Sequence, residues 1–253
     1  MTDHLSRQKR NNAQLAAFGI LIVGATLLVI SEKPHPGSHD LPDFPDGDIA
    51  QHKEAFFAFL APIAAHHNDR IRDERAFLLS IDENSGPAWW HRRRFAALAE
   101  RYDVDVDKLG FPEAFARLKR RVDVIPPALV LVQAAKESGW GRSRFAREGN
   151  ALFGEWCFTE GCGMVPARRA KGRRHEVREF DTVHDAVASY MDNLNSHRSY
   201  RELRAARAEM RDDGEKLSAL NLAEHLSLYS ERGKVYAEEI SRMIISNGLE
   251  SRR

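Results

Sequence analysis

The sequence predicts a mainly α protein with a small hairpin or loop insertion, an extra helical segment ahead of the main domain, and one apolar N-terminal helix. Three observations support this fold class. Helical hydrophobic periodicity dominates from Gln51 onward. Only the stretch from Cys157 to Phe180 lacks it, and "HEVREF" within that stretch is compatible with one arm of a hairpin. Residues 15–30 form a long run without a charge.

That uncharged run predicts a transmembrane helix over residues 14–31, close to the shortest length that crosses a bilayer core. Arg7, Lys9 and Arg10 precede it. Because basic residues stay on the cytoplasmic side, residues 1–13 are expected in the cytoplasm and the long C-terminal part outside it. A cleaved signal peptide is the alternative, which the absence of a small-x-small site in "VISEKP" disfavours.

Residues 32–50 are expected to form a linker, since they hold four prolines and few apolar residues. A helical segment follows over residues 51–120. We expect its first helix to be interrupted or kinked at Pro62, with a second helix near residues 71–81.

The main domain is expected over residues 121–249. Its clearest element is a helix that begins at the capping box of Thr182 and Asp185 and continues with an amphipathic stripe. An almost wholly apolar helix ends near Glu137, and further helices are expected near residues 200–210, 217–228 and 235–245.

Composition and motifs exclude several classes of function. A net charge of +1 argues against a dedicated nucleic-acid binder, which usually carries a strong basic excess. The chain has no CxxC pair, HExxH, GxGxxG or P-loop pattern, so neither a metal nor a nucleotide cofactor is expected.

Glu137 is the candidate functional carboxylate, because it stands where the buried helix gives way to Gly-Trp-Gly. The helix dipole disfavours a negative charge there, and burial favours the neutral acid. A carboxyl group held protonated near neutral pH suits a general acid that protonates a glycosidic oxygen. An ordinary exposed glutamate before a glycine stop is the alternative on these grounds alone.

The ordered motifs resemble glycoside hydrolase family 73, and within it the Bax-type proteins of Gram-negative envelopes. The resemblance rests on "RVDVIPPALVLVQAAKESGWGRSRFAREGNALFGEWCFTEGCG", then "HEV", "YMDNLNSHRSYRELR" and "YSERGKVYAEEI", in that order. It covers about residues 51–249. It implies a lysozyme-like α+β domain and β-N-acetylglucosaminidase activity.

The resemblance also implies roles for single residues. Glu137 falls on the catalytic acid, and Tyr229 on a tyrosine that faces the reacting sugar, although this chain reads Tyr-Ser-Glu where the family has Tyr-Ala-Thr. The residues implied to line the substrate cleft are Trp140, Asn150, Phe153, Gly154 and Tyr236. Asn150 is interpreted either as a ligand of an N-acetyl group or as a turn residue, and Tyr236 either as a cleft residue or as helix packing.

A second carboxylate is expected on the far face of the sugar, as two-carboxylate glycosidases require. Glu176 is the first choice, Glu160 the second and Glu179 the third. Attack by the substrate's own acetamide oxygen is the remaining alternative. Cys157 and Cys162 are expected to form a disulfide in an oxidising periplasm.

Together these features predict an inner-membrane, single-pass peptidoglycan hydrolase with its C-terminal domain in the periplasm. Its expected cut is the β-1,4 bond after N-acetylglucosamine. A lytic transglycosylase or muramidase of the same fold is one alternative, and a catalytically silent glycan-binding scaffold is another. Peptidoglycan strands are the expected partner, and residues 51–120 are interpreted as a cap that is autoinhibitory or binds an unidentified envelope protein.

Overall fold

The computed structural model describes residues 41–45, 47–167, 169 and 172–250. Within them the chain is mainly helical, which confirms the mainly α prediction. The helices are α1 (Ile49–Leu79), α2 (Arg92–Arg101), α3 (Val106–Leu109), α4 (Phe111–Arg121), α5 (Pro127–Ser138), α6 (Arg144–Gly149), α7 (Val183–Ser196), α8 (Arg201–Asp212), α9 (Ala219–Ala223) and α10 (Lys234–Ser246). The strands are β1 (Trp156–Cys157), β2 (Gly163–Met164) and β3 (Glu176–Arg178).

Helix α5 lies at the centre of the main hydrophobic core. Every residue from Ala128 to Ala135 is buried, as the apolar run predicts. Helices α1, α9 and α10 contact α5. The helix begins at the Pro126–Pro127 pair, where proline costs no intrahelical hydrogen bond, and it ends at Gly139 in a left-handed conformation.

Helix α1 is not interrupted at Pro62, because it continues from Ile49 to Leu79 and includes the expected second helix. The kink given as the alternative stays a prediction. Pro62 lies inside it on the exposed side. An internal proline costs about 3 kcal/mol. The buried residues Leu60 and Ile63 beside it pack into the main core and offset that loss.

The core does not divide at residue 120, although the sequence places a domain boundary there. The N-terminal half of α1 packs with α5 in the main core. A second cluster joins the C-terminal end of α1 to α2 and α4, with Phe77, Leu98 and Phe115 among its buried members.

The connector between α4 and α5 is held by one buried arginine of α8. The Arg207 guanidinium is 1% exposed. It donates to the carbonyl oxygens of Arg120, Asp123 and Val124 and to Asn195 Oδ1, at 2.7–3.1 Å. Burial lowers its pKa to about 10 against the opposing effect of Asp123. These bonds fix the entry of the chain into α5.

The capping box and the hairpin arm are confirmed. The hydroxyl of Thr182 accepts from the N–H of Asp185 at 3.0 Å and begins α7. Strand β3 occupies the middle of a three-stranded antiparallel sheet of order β1-β3-β2, in which Cys157 pairs with Glu176 and Met164 with Val177.

The predicted cytoplasmic segment 1–13 and transmembrane helix 14–31, with most of the linker, lie outside the described residues. In the part of the chain that is described, no helix has both the length and the apolar character needed to cross a membrane.

Candidate active site

Glu137 is the last but one residue of α5, and the chain then reverses sharply. Gly139, Trp140 and Gly141 all have positive φ, at 59°, 61° and 76°. The N–H of Trp140 donates to the carbonyl of Ala135 at 2.7 Å and closes the helix end. This turn explains the Gly-Trp-Gly sequence, because left-handed backbone favours glycine. It leaves the side chain of Glu137 at the rim of the core.

The environment of Glu137 favours its protonated form. Burial raises the pKa of this carboxyl, while a hydrogen bond from the Tyr236 hydroxyl and the charge of Lys136 act in the opposite direction. A Cβ atom on Gly154, which has φ of 63°, would lie 3.9 Å from Oε2 of Glu137. The glycine therefore keeps the space beside the carboxyl clear of side chains.

A chain of buried hydrogen bonds leads to Glu137. The Tyr190 hydroxyl donates to Oε1 of Gln133 at 2.5 Å, and Nε2 of Gln133 donates to the Tyr236 oxygen at 3.0 Å. Because that oxygen accepts from Gln133, its own proton is directed to Glu137, with which it forms a hydrogen bond. Helices α5, α7 and α10 are thus joined at the carboxyl.

Two tyrosines with predicted roles, Tyr229 and Tyr236, stack on each other near Glu137, and those roles stay predictions. Tyr236, predicted only to line the cleft, places its hydroxyl at Glu137. Tyr229, predicted to be catalytic, donates its hydroxyl to the carbonyl of Phe153 at 2.9 Å and stacks its ring on Tyr236, with centroids 5.3 Å apart. Phe153 is buried and stacks on Tyr190 at 4.0 Å. The hydroxyl of Tyr229 therefore supports the turn that carries Gly154.

Asn150 is engaged by the protein itself, which favours the turn interpretation. Its backbone is left-handed, with φ of 52°. Its Oδ1 accepts from the N–H of Leu41 at 3.4 Å, and its Nδ2 donates to the carbonyls of Phe180 and Asp181 at 3.1 and 3.3 Å. The NH₂ group of its amide is therefore used by the protein, and only Oδ1 keeps a lone pair that could accept from an N-acetyl N–H.

Trp140 packs against α1. Its ring lies 5.1 Å from Phe57 and 5.9 Å from Phe56, centroid to centroid, and the ammonium of Lys53 lies 4.8 Å from its centroid. The Nε2 atom of His52 lies 2.8 Å from its carbonyl oxygen. These contacts hold the tight turn after Glu137 in place. The cleft-lining role expected of Trp140 stays a prediction.

Glu176, the first choice of second carboxylate, is hydrogen-bonded within the hairpin, and its catalytic role stays a prediction. It is 6% exposed, and its two carboxylate oxygens accept from the N–H groups of Gly161 and Gly163 at 3.3 and 3.0 Å. Those glycines flank the predicted disulfide between Cys157 and Cys162, which is formed. The carboxylate therefore holds the hairpin loop in place.

The other acidic residues of the insertion occupy different positions. Glu160 and Glu179 are exposed. Glu155, which was not among the predicted residues, follows Gly154 and accepts from the Ser189 hydroxyl at 2.8 Å. Burial raises the pKa of Glu155 against that hydrogen bond.

Gln133 is the supporting residue that sequence reasoning missed. It is fully buried and the single polar side chain in "PALVLVQAA". A lone amide in an apolar helix needs hydrogen-bond partners, and it stands one turn before Glu137 on the same helical face. Its polar character within the apolar helix and its spacing from Glu137 are the sequence features that indicate its contact with the site.

Comparison with known proteins identifies the family. Residues 112–249 match the sequence model of the glucosaminidase family, described as mannosyl-glycoprotein endo-beta-N-acetylglucosaminidase. The chain is 33% identical over 208 residues to Protein bax of Escherichia coli strain K12, covering 82% of this chain and 73% of that protein. The catalytic domain of the autolysin Auto from Listeria monocytogenes aligns with a TM-score of 0.43 and 14% identity, over 83% of this chain and 89% of that one.

The chain therefore belongs to the glucosaminidase family, and within it to the Bax-type proteins, as its motifs predict. This membership supports a glycoside hydrolase.

Proposed function

We propose that the protein is an endo-β-N-acetylglucosaminidase that cleaves the β-1,4 bond after N-acetylglucosamine in peptidoglycan, with Glu137 as the general acid. The observation that carries the proposal is the partly buried carboxyl of Glu137 at the end of α5. Burial raises its pKa, Tyr236 orients it, and Gly154 leaves room beside it. We also propose that the domain that carries Glu137 has a lysozyme-like fold.

In the reaction, protonated Glu137 gives its proton to the glycosidic oxygen while the bond to the anomeric carbon breaks. Glu137, now ionised, then takes a proton from the water that completes hydrolysis. Hydrogen bonding from Tyr236 stabilises this ionised form. The Tyr236 hydroxyl therefore matters most between the two proton transfers.

For the far face of the sugar we favour the substrate's own acetamide oxygen. Both oxygens of Glu176 are hydrogen-bonded to the hairpin loop, which makes this residue a poor nucleophile or base. Acetamide attack on the anomeric carbon gives a cyclic intermediate that water opens, and it needs one protein carboxyl.

The test is digestion of purified peptidoglycan by the full-length protein, wild type beside Glu137→Gln, with reduced products identified by mass spectrometry. Reduced N-acetylglucosamine ends made only by the wild type support the proposal. Anhydro-muramic ends would assign a lytic transglycosylase, and reduced muramic ends a muramidase. Equal inactivity of two folded proteins that still bind glycan would support the silent scaffold.

We further propose that residues 14–31 anchor the protein in the inner membrane and that the catalytic part faces the periplasm. The support is the apolar run with its preceding basic residues, together with the disulfide between Cys157 and Cys162. Protease added to intact spheroplasts should degrade the C-terminal part. Its complete protection would place it in the cytoplasm and contradict the proposal.

A further inference from the structure

Two neighbouring tryptophans lie on the surface in the turn between α1 and α2. Trp89 is 76% and Trp90 62% exposed. Their ring centroids are 5.5 Å apart and the rings are almost perpendicular. The ring of His91 contacts both Trp90 and Phe77, with centroid distances of 5.9 and 5.3 Å. Adjacent exposed aromatic groups with a polar rim are typical of binding surfaces.

The turn that carries these rings is well fixed. The carboxylate of Asp82 accepts from the N–H groups of Asn84 and Ser85 at 2.9 and 2.6 Å. The N–H of His91 donates to the carbonyl of Ala88 at 2.8 Å. The tryptophans therefore need little ordering when a ligand binds, which reduces the entropic cost of association.

Three exposed arginines, Arg92, Arg93 and Arg94, follow directly in the first turn of α2. That turn contains no acidic residue, although acidic residues stabilise this end of a helix. Trp89, Trp90 and these arginines are named here the tryptophan–arginine surface. Guanidinium groups match the geometry of carboxylates, so this surface suits a ligand with flat apolar faces and negative charges.

The surface continues into a groove of about 570 Å³ beside α2. The groove lining includes Pro87 and Arg92, close in sequence to the tryptophans, and Phe95 and Phe111. It also includes the acidic residues Glu100, Asp105 and Asp107, so the groove suits an uncharged part of a ligand and the arginines suit its carboxylates. The concave shape extends the contact area available to a long ligand.

This surface is built on the second hydrophobic cluster, whereas the helix that carries Glu137 belongs to the main core. Residues 89–94 also precede the region 112–249 that matches the glucosaminidase family. The tryptophan–arginine surface is thus separate from the residues that build the candidate active site.

We propose that the tryptophan–arginine surface is an accessory binding site for peptidoglycan strands, a proposal that rests on the proposed function. The tryptophan rings stack on sugar rings, and the arginines pair with carboxylates of the peptide stems. An anionic membrane surface is the less favoured ligand, because a flat layer of headgroups cannot enter the groove that continues the surface.

The experiment measures co-sedimentation of full-length protein with purified insoluble peptidoglycan, in the Glu137→Gln background so that the polymer stays intact. The variant is Trp89→Ala with Trp90→Ala, and Ile245→Ala, which removes an exposed apolar side chain from α10, is the matched control. We expect the double variant to lose affinity by roughly two- to tenfold per ring, and the control to match the parent. A second variant, Arg92→Glu with Arg93→Glu, should weaken binding and reduce its salt dependence.

Without the Glu137 substitution, the tryptophan variant should digest insoluble peptidoglycan more slowly and soluble short glycan fragments at the parental rate. Equal sedimentation of the double variant and its parent would overturn the proposal. So would unchanged peptidoglycan binding together with lost binding to phosphatidylglycerol vesicles, which would identify a membrane contact. Failure of the proposed function has different signs, which are digestion of peptidoglycan by Glu137→Gln or product ends other than reduced N-acetylglucosamine.

Discussion

Replacing Tyr236 with phenylalanine tests the hydrogen-bond chain at Glu137, since it removes one oxygen and keeps the ring. The stack on Tyr229 remains, and the side chain is 2% exposed, so packing changes little. The lost oxygen takes part in two hydrogen bonds, one accepted from Gln133 and one donated to Glu137.

The magnitude follows from these two bonds. Without the oxygen, the buried Nε2 of Gln133 loses its acceptor, which costs about 1–3 kcal/mol of unfolding free energy. The bond to Glu137 stabilises the ionised carboxylate, so its loss raises the pKa of Glu137 further above its ordinary value. A raised folded-state pKa stabilises the fold at low pH and loses that contribution as the pH rises. The destabilisation should therefore be larger at pH 8 than at pH 4.

The assay is the pH dependence of kcat/KM on soluble glycan fragments, with urea denaturation at pH 4 and pH 8. Since a general acid must be protonated, activity falls as the pH rises through the pKa of Glu137. In Tyr236→Phe this falling limb should move to higher pH. Tyr229→Phe is the control, because it loses its bond to Phe153 and should lower stability without moving the limb. An unmoved limb in folded Tyr236→Phe would refute the contact with Glu137.

Three further outcomes are expected. Arg207→Met removes the donor to the buried carbonyls between α4 and α5, so it should lower the free energy of unfolding by about 3–5 kcal/mol and Tm by roughly 6–20 °C. The exposed Arg201→Met on the same helix is the control and should change stability by no more than about 0.5 kcal/mol. Equal Tm values for the two variants would contradict the role given to Arg207. Glu176→Gln should destabilise the hairpin by about 1–3 kcal/mol and leave kcat unchanged. A fall of about 100-fold in kcat at unchanged stability would instead support a catalytic role for Glu176. Burial lowers the pKa of His67 to about 3, so the free energy of unfolding should fall by on the order of 4 kcal/mol as the pH drops from about 6.5 towards 3. In urea denaturation, His67→Leu should lose less stability than the wild type over this pH range. An equal loss in the two proteins would exclude His67 as the source of the decline.

Much of the fold was readable from local patterns. The apolar run before Glu137, the capping box at Thr182 and the missing periodicity around Glu176 each depend on residues close in sequence, and each has its expected element. The interruption predicted at Pro62 is absent, because the packing that keeps α1 continuous comes from residues far away in the chain.

The sequence by itself determined the family, the mainly helical class, the position of the candidate acid and the pairing of Cys157 with Cys162. These follow from motifs and spacings within short stretches. Only the tertiary structure decided which polar groups meet. It placed Glu176 in the hairpin, bonded Asn150 to the backbone, and directed the hydroxyl of Tyr236 to Glu137. The physical reason is that a buried hydrogen bond depends on the direction of each donor and acceptor, and packing between distant helices sets that direction.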